Sequence, residues 1–365
     1  MRSGNFKILL FFGSLFVALF VAELLLRVFW LPRQGTPARI ACEYDSLLGW
    51  KKIGGRSVNI RTSEYSLRET LNSKGLRGPD YPYERDTSSL RVLALGDSFV
   101  EGYSVPDIGL FSVLLENMLQ LQSSSAVEII NMGTGGYSTD QEYLAYGSEG
   151  RKYRPDLVLL FFYYNDLLYN IKSSYDGYPK PYFSIVGRKL RLGNVPVPKT
   201  GLHGQLRTYL KSIALLKLVS SLKYQLRHKK AAGSANIETD VFLPTPPLWV
   251  DKAWEVTEGI LIALSEAAKR DGGKLIVLYV PARFEIVALK KSEEFARRME
   301  PKLVSTTLKK VCLRNGMEFV DLKDAFRQSS DVGPVYYPID GHWNPRGHLR
   351  VAQFLSRVLQ SYNQD

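Results

Sequence analysis

The chain is short of the residues that build metal centres and disulfide frameworks. Its 365 residues include two cysteines, Cys42 and Cys312, far apart and in no CxxC or Cys/His cluster. That pattern indicates neither a disulfide framework nor a structural zinc site, and it leaves the redox compartment unread. Histidine is scarcer than usual for an enzyme, with four in all, so the candidates for a general base are few. Acidic residues are missing altogether from Val186 to Lys230, where 11 Lys or Arg fall and account for most of the formal net charge of +12. Such a block suits an anionic lipid, an acidic glycan or nucleic acid. Apolar residues circle most of the helix expected from Gln205 to His228, and no nucleic-acid module is present. Nucleic acid is therefore not expected, and a partly packed helix and a membrane-surface role both stay open. No internal repeat is visible. The run Gly133-Thr134-Gly135-Gly136 lacks a GxGxxG unit or a Walker lysine, so it is not read as a phosphate loop.

What the chain does have begins at the N-terminus. After Arg2 and Lys7, the 19 residues from Ile8 to Leu26 carry one charge, Glu23, and a helix of that length matches the thickness of a bilayer core. A cleaved signal peptide needs small residues one and three places before the cut, and a cut after Ala22 would put Phe20 at the second of these. An uncleaved single-pass anchor is expected. Arg2, Lys7 and the α-amine before the span nearly balance Arg27, Arg33 and Arg39 after it, so the positive-inside rule sets no orientation.

Five short apolar runs follow, at 90–95, 126–132, 156–162, 274–280 and 317–322. Most lack polar alternation, as strands covered on both faces do. Helical stretches separate them, at 109–122, 140–153, 250–270 and 293–314, with a last helix after the Asn344-Pro345 cap. Strands alternating with helices predict an α/β fold, a three-layer α/β/α sandwich on a five-stranded parallel sheet. With 45% apolar residues the chain can bury one such core. The gap between the third and fourth strands is too long for a simple crossover and reads as an insertion, opening with a hairpin about Gly187-Arg188. The expected organisation is an anchor (1–30), an N-terminal extension (31–88), a first core segment (89–167), a basic insertion (168–248) and a second core segment (249–365).

In a parallel α/β sheet, ligands bind beyond the carboxyl ends of the strands. The polar signals fall there: Gly96-Asp97-Ser98 after the first strand, NMGTGGYST (131–139) after the second, YYNDL (163–167) after the third, and YYPIDGHWNPRGH (336–348) after the fifth. In that order these blocks resemble the SGNH hydrolases, the GDSL-type esterase and lipase superfamily, over residues 90–170 and 270–360. The chain departs from the pattern in three places. Phe99 replaces the leucine of GDSL, Tyr163 stands where glycine is common, and one residue rather than two separates acid from base.

The resemblance implies a serine nucleophile, Ser98. His342 is the best-placed base, since His203 and His228 lie in the insertion. Asp340, two residues before it, would share a side in an extended segment and hold the imidazole tautomer. The resemblance also implies an oxyanion hole made by the backbone N–H groups of Ser98 and Gly136 and the Asn165 amide. Blander roles stay open: Ser98 as a helix cap, Asn165-Asp166 as a turn, and Trp343 as pocket wall or core filler. Asp97 is expected to fix its loop and His348 to pack in the last helix. The implied activity is ester hydrolysis through an acyl-enzyme, with no metal or organic cofactor. The substrate is expected to be an acylated envelope glycan or lipid, with the domain outside the cytoplasm. An O-acyltransferase working beside a multi-span membrane partner uses the same triad. A third reading is a non-catalytic envelope protein that binds glycan or scaffolds partners.

Overall fold

The computed structural model describes residues 2–30, 41–86, 89–201, 213–216, 218–219, 237–286, 299–327 and 334–362. Most of the basic helix expected over 205–228, with His203 and His228, lies outside the described residues.

Helix α1 (Arg2–Leu25) runs into a short π-helical turn at Leu26–Trp30. Within this stretch Lys7–Phe29 has a mean hydropathy of 2.5, and none of its most apolar window is buried. It is the one described helix long and apolar enough to cross a membrane. Glu23, its single acid, accepts hydrogen bonds from the backbone N–H groups of Ala214 and Leu215 at 2.9 and 3.0 Å and from Arg27 Nε at 2.8 Å.

Two antiparallel hairpins occupy the N-terminal extension: β1 (Cys42–Asp45) with β2 (Gly49–Lys52), and β3 (Ser57–Arg61) with β4 (Ser66–Thr70). The core then runs β5 (Leu90–Leu95), α2 (Ser98–Glu101), α3 (Phe111–Gln120), β6 (Val127–Asn131), α4 (Thr139–Ser148), β7 (Leu157–Tyr163) and α5 (Asp166–Tyr169). A small bridge joins β8 (Ser174–Tyr175) to β9 (Tyr178–Pro179), and the expected hairpin pairs β10 (Tyr182–Val186) with β11 (Lys189–Gly193). Its two turn residues, Gly187 and Arg188, both have positive φ, 55° and 62°, the geometry that matches the twist of a two-residue hairpin. The core resumes with α6 (Leu248–Arg270), β12 (Lys274–Val280), α7 (Arg283–Ile286), α8 (Leu303–Arg314), β13 (Glu318–Asp321), α9 (Lys323–Arg327) and α10 (Pro345–Val358). Of the helix expected over 293–314, residues 293–298 lie outside the described residues, and the described helix runs from Leu303. Met299 to Lys302 are not helical, because Pro301 lacks the N–H that an interior helical position must donate.

The central sheet has the order β13-β12-β7-β5-β6, and every neighbour pair is parallel. Alternate residues of each strand face opposite layers. Leu93, Leu95, Leu160, Phe162 and Val277 pack with α4, α6 and α8, while Val92, Ala94, Leu159, Phe161 and Leu278 pack with α3 and α10. Both faces are therefore covered, which is why these strands read as unbroken apolar runs. Each fully buried Leu or Phe contributes about 1.5–3 kcal/mol. Chain order reverses between β5 and β7: β6 lies on one side of β5 and β7 on the other. The crevice beyond their carboxyl ends is where such a sheet binds ligands.

Candidate active site

At the end of β5 the chain turns sharply into α2. A Cβ on Gly96 would stand 2.3 Å from Val100 Cγ2, so only glycine lets the first turn of α2 fold back on the strand. Asp97 caps that helix, its carboxylate accepting the Phe99 N–H at 2.9 Å. The cap is thus Asp97 and not Ser98, whose hydroxyl is left for another partner. That partner is His342, with Nε2 2.7 Å from Ser98 Oγ across 244 residues of sequence.

His342 comes from the segment between α9 and α10. Tyr337 N–H donates to His342 O at 2.8 Å and Gly341 N–H donates to Tyr337 O at 3.1 Å, which closes the loop. Asp340 Oδ1 lies 2.7 Å from His342 Nδ1. The expected extended segment is corrected here. Gly341 has a φ of 83°, and Asp340 and His342 meet across a tight turn that needs glycine's freedom at positive φ. One intervening residue suffices because the turn supplies the convergence that strand alternation would have supplied. Burial works to raise the Asp340 pKa, but donors from His342, Tyr65 and Tyr103 outweigh it and hold the carboxyl below its ordinary value.

The second strand's loop packs beneath this pair. Asn131 is spent on structure, its Nδ2 donating to Val100 O at 2.7 Å and its Oδ1 accepting Gly133 N–H at 3.0 Å. Gly133 lies so close to α2 that a Cβ would meet Glu101 N at 2.1 Å. Gly135 donates its N–H to the buried Glu101 carboxylate. Gly136 has a φ of 78°, and a Cβ there would meet the Tyr175 ring at 2.9 Å. The backbone N–H groups of Ser98 and Gly136 make no hydrogen bond within the described residues. Asn165 stands at the β7 end, its Oδ1 buried without a partner among the described residues. Ser98, Asn165, Tyr175, Asp340 and His342 share the walls of one cavity of about 400 Å³. Among the described residues no cluster of His, Cys, Asp and Glu could hold a metal ion.

The model of the GDSL-like lipase/acylhydrolase family matches residues 94–350, more than half of the chain. The chain belongs to that family. It is a hydrolase acting on ester bonds, of the SGNH type. Solved structures that resemble this acylhydrolase include one titled TesA, at 10% identity, covering 75% of this chain and 98% of that one with a TM-score of 0.42. The acetyl xylan esterase AlAXEase is 15% identical, with 73% and 98% covered and a TM-score of 0.41. A lipase/acylhydrolase from Enterococcus faecalis is 12% identical, with 74% and 95% covered and a TM-score of 0.40. No curated protein matches the sequence.

Three further residues of the acylhydrolase surround Asp340, and none carries a motif. The Tyr103 hydroxyl donates to Asp340 at 3.1 Å, and its oxygen lies 2.9 Å from His342 Nδ1. From the β3–β4 hairpin, Tyr65 donates to Asp340 Oδ2 at 2.8 Å. Beside it the Glu64 carboxylate accepts the N–H groups of Ile339 and Asp340 at 2.8 and 2.7 Å. The hairpin tip thus clamps the loop that carries Asp340 and His342, although 275 residues separate Tyr65 from Asp340. Removing one hydrogen bond to a charged acceptor, as in Tyr65→Phe, should lower kcat roughly tenfold. KM on 4-nitrophenyl acetate should barely move, because Tyr65 acts through Asp340 and does not line the cavity. A change confined to KM would contradict this.

Trp343 is buried among Phe99, Phe326 and Tyr336 and fills the core. His348 accepts the Phe111 N–H at 3.2 Å, and burial, then Arg77, push its pKa down to about 3, so it is a neutral packing residue. Asp97 is the reverse case. Burial pushes its pKa up to about 6 against the pull of the Phe99 N–H. A raised pKa means the folded state holds a proton that the unfolded state has released, so this stability is present below the ordinary carboxyl pKa and lost as pH rises through about 6. Asp97→Asn keeps the capping oxygen without the titration. The thermal midpoint of the full chain in detergent should therefore fall less for the variant than for the wild type between pH 4 and pH 7, a difference on the order of 3 kcal/mol. Parallel midpoint curves would refute it.

Proposed function

We propose that this hydrolase is a membrane-anchored serine esterase that removes an acyl group from an envelope glycan or lipid through an acyl-enzyme on Ser98. One observation carries the reading: Ser98 Oγ lies 2.7 Å from His342 Nε2 while Asp340 Oδ1 lies 2.7 Å from Nδ1 on the far side of the ring. Nδ1–H donates to the carboxylate, which leaves Nε2 as the acceptor facing Ser98. Ser98 Oγ attacks the acyl carbonyl carbon as its proton passes to Nε2, and Asp340 stabilises the imidazolium formed. The carbonyl oxygen takes the negative charge, facing the free N–H groups of Ser98 and Gly136 and the Asn165 amide, each donor contributing about 3–4 kcal/mol in such sites. Collapse expels the alcohol, which takes the proton from Nε2. Water, deprotonated by the same nitrogen, then attacks the acyl-enzyme and releases the acid.

The apolar helix Lys7–Phe29 supports attachment to a membrane, with the domain on the extracytoplasmic side where acylated envelope polymers are found. The test is covalent labelling of the full chain with a fluorophosphonate, followed by mass analysis. One adduct on Ser98 is expected in the wild type, and none in Ser98→Ala. A folded wild-type protein that neither labels nor hydrolyses 4-nitrophenyl acetate would end this reading.

A further inference from the structure

Among the described residues the cavity beside Ser98 contains one permanently cationic side chain, Arg283, and the turn that carries it is built to leave it uncommitted. β12 ends at Val280, and Pro281 and Ala282 lead into α7, where Arg283 is the first residue. Glu285 holds this turn from the inside. Its Oε2 accepts the Ala282 N–H and the Tyr279 hydroxyl, both at 2.7 Å, and Lys323 Nζ lies 2.6 Å from its Oε1. The acid nearest Arg283 in sequence is therefore already neutralised by a lysine. The cavity's two carboxylates are engaged as well, Asp340 by His342, Tyr65 and Tyr103, and Asp97 by the Phe99 N–H. Among the described residues Arg283 makes no hydrogen bond or ion pair. A guanidinium in a walled site with its donors unspent is matched by a planar carboxylate, which it can grip through two parallel hydrogen bonds.

Tyr163, Tyr164, Tyr175 and Phe284 complete the wall around it. Each tyrosine contributes an aromatic ring to this wall, the kind of surface on which the apolar face of a sugar ring packs. Among the described residues the aliphatic lining is limited to Ala282 and Ile339, too little to solvate a fatty-acyl chain. β5 and β12 lie on either side of β7, so their ends stand roughly 10 Å apart, a span of one or two sugar rings between Ser98 and Arg283. The net charge of +12 draws polyanions towards the protein.

We propose that the substrate is an O-acylated acidic glycan, with Arg283 binding a ring carboxylate while the acyl ester of the same or the neighbouring sugar lies at Ser98. This deepens the esterase reading and rests on it. The test uses the full chain in detergent and measures acetate release from O-acetylated oligogalacturonate and from the same oligomer with its carboxylates methyl-esterified. The wild type should favour the free acid roughly tenfold or more in kcat/KM, and the preference should shrink as salt rises. The acid-to-ester ratio should fall close to one in Arg283→Gln and be partly kept in Arg283→Lys. The two wild-type substrates carry the test even if the variants fail to fold. Equal rates on both, or an unchanged ratio in Arg283→Gln, would overturn this inference and leave the esterase standing. Faster hydrolysis of phosphatidylglycerol micelles than of either oligomer would replace the glycan by a lipid. Failure on all of them together with 4-nitrophenyl acetate and the fluorophosphonate would remove the esterase reading itself.

Discussion

Ser98→Ala and His342→Ala should each lower kcat on a small acyl ester by at least about 10⁴-fold, and the double variant should be no worse than either single one. The non-additivity follows from the geometry. With Nε2 2.7 Å from Oγ, hydroxyl and imidazole act as one unit: without the base the alcohol is a poor nucleophile, and without the alcohol the base has nothing to activate. Residual turnover is expected from the oxyanion donors and from binding alone. Asp340→Asn should fall in the same range, since an amide in that place favours the wrong imidazole tautomer. Effects of Ser98→Ala and His342→Ala that multiply in the double variant, measured by steady-state kinetics on 4-nitrophenyl acetate, would show that the two residues act independently.

Lys180→Met should destabilise the protein more than any surface change, although Lys180 lies in the segment between the third and fourth central strands. Its ammonium is fully buried, paired with the equally buried Asp140 of α4, and donates to Tyr169 O and Pro181 O at 2.8 and 2.9 Å. Removing one partner strands the other charge and costs about 3–5 kcal/mol, a fall in thermal midpoint of roughly 10 °C for a domain of this size. The loss should depend on pH. Burial already pushes the Asp140 pKa up to about 6, and removing the lysine pushes it higher. A carboxyl with a raised pKa is neutral in the fold at low pH and loses stability as pH rises through that pKa. The variant should therefore be closer to wild type at pH 5 than at pH 8, and Lys180→Met combined with Asp140→Leu should recover much of the loss. An unchanged midpoint across this range would show that water reaches the pair.

This pair also shows why the segment after β7 was hard to read. As sequence, 168–201 is a run of Tyr, Pro, Lys and Gly with one legible hairpin. Only the folded chain reveals that Lys180 and Phe183 of that run pack into α4 and α6. The N-terminal extension was equally mute. Its strands are four or five residues long, too short for periodicity to register, yet the turn between two of them carries Glu64 and Tyr65.

Pattern alone determined the sheet and singled out Ser98 and His342 as the candidate nucleophile and base. Strands buried on both faces must be continuous apolar runs, glycine must stand where a strand turns back into a helix, and a chain with four histidines offers few bases. Tertiary structure decided how the candidate acid Asp340 reaches His342, because Gly341 at positive φ replaces strand alternation with a turn. It also decided what surrounds that acid, since Tyr65 and Glu64 act from 275 residues away, and which cation is left free, since Lys323 rather than Arg283 neutralises Glu285. The division has a physical cause. Strand burial and local turns leave a periodicity or a residue preference in the sequence, whereas a polar side chain's partner depends on which distant segments meet, and that contact leaves no trace in the residues on either side of it.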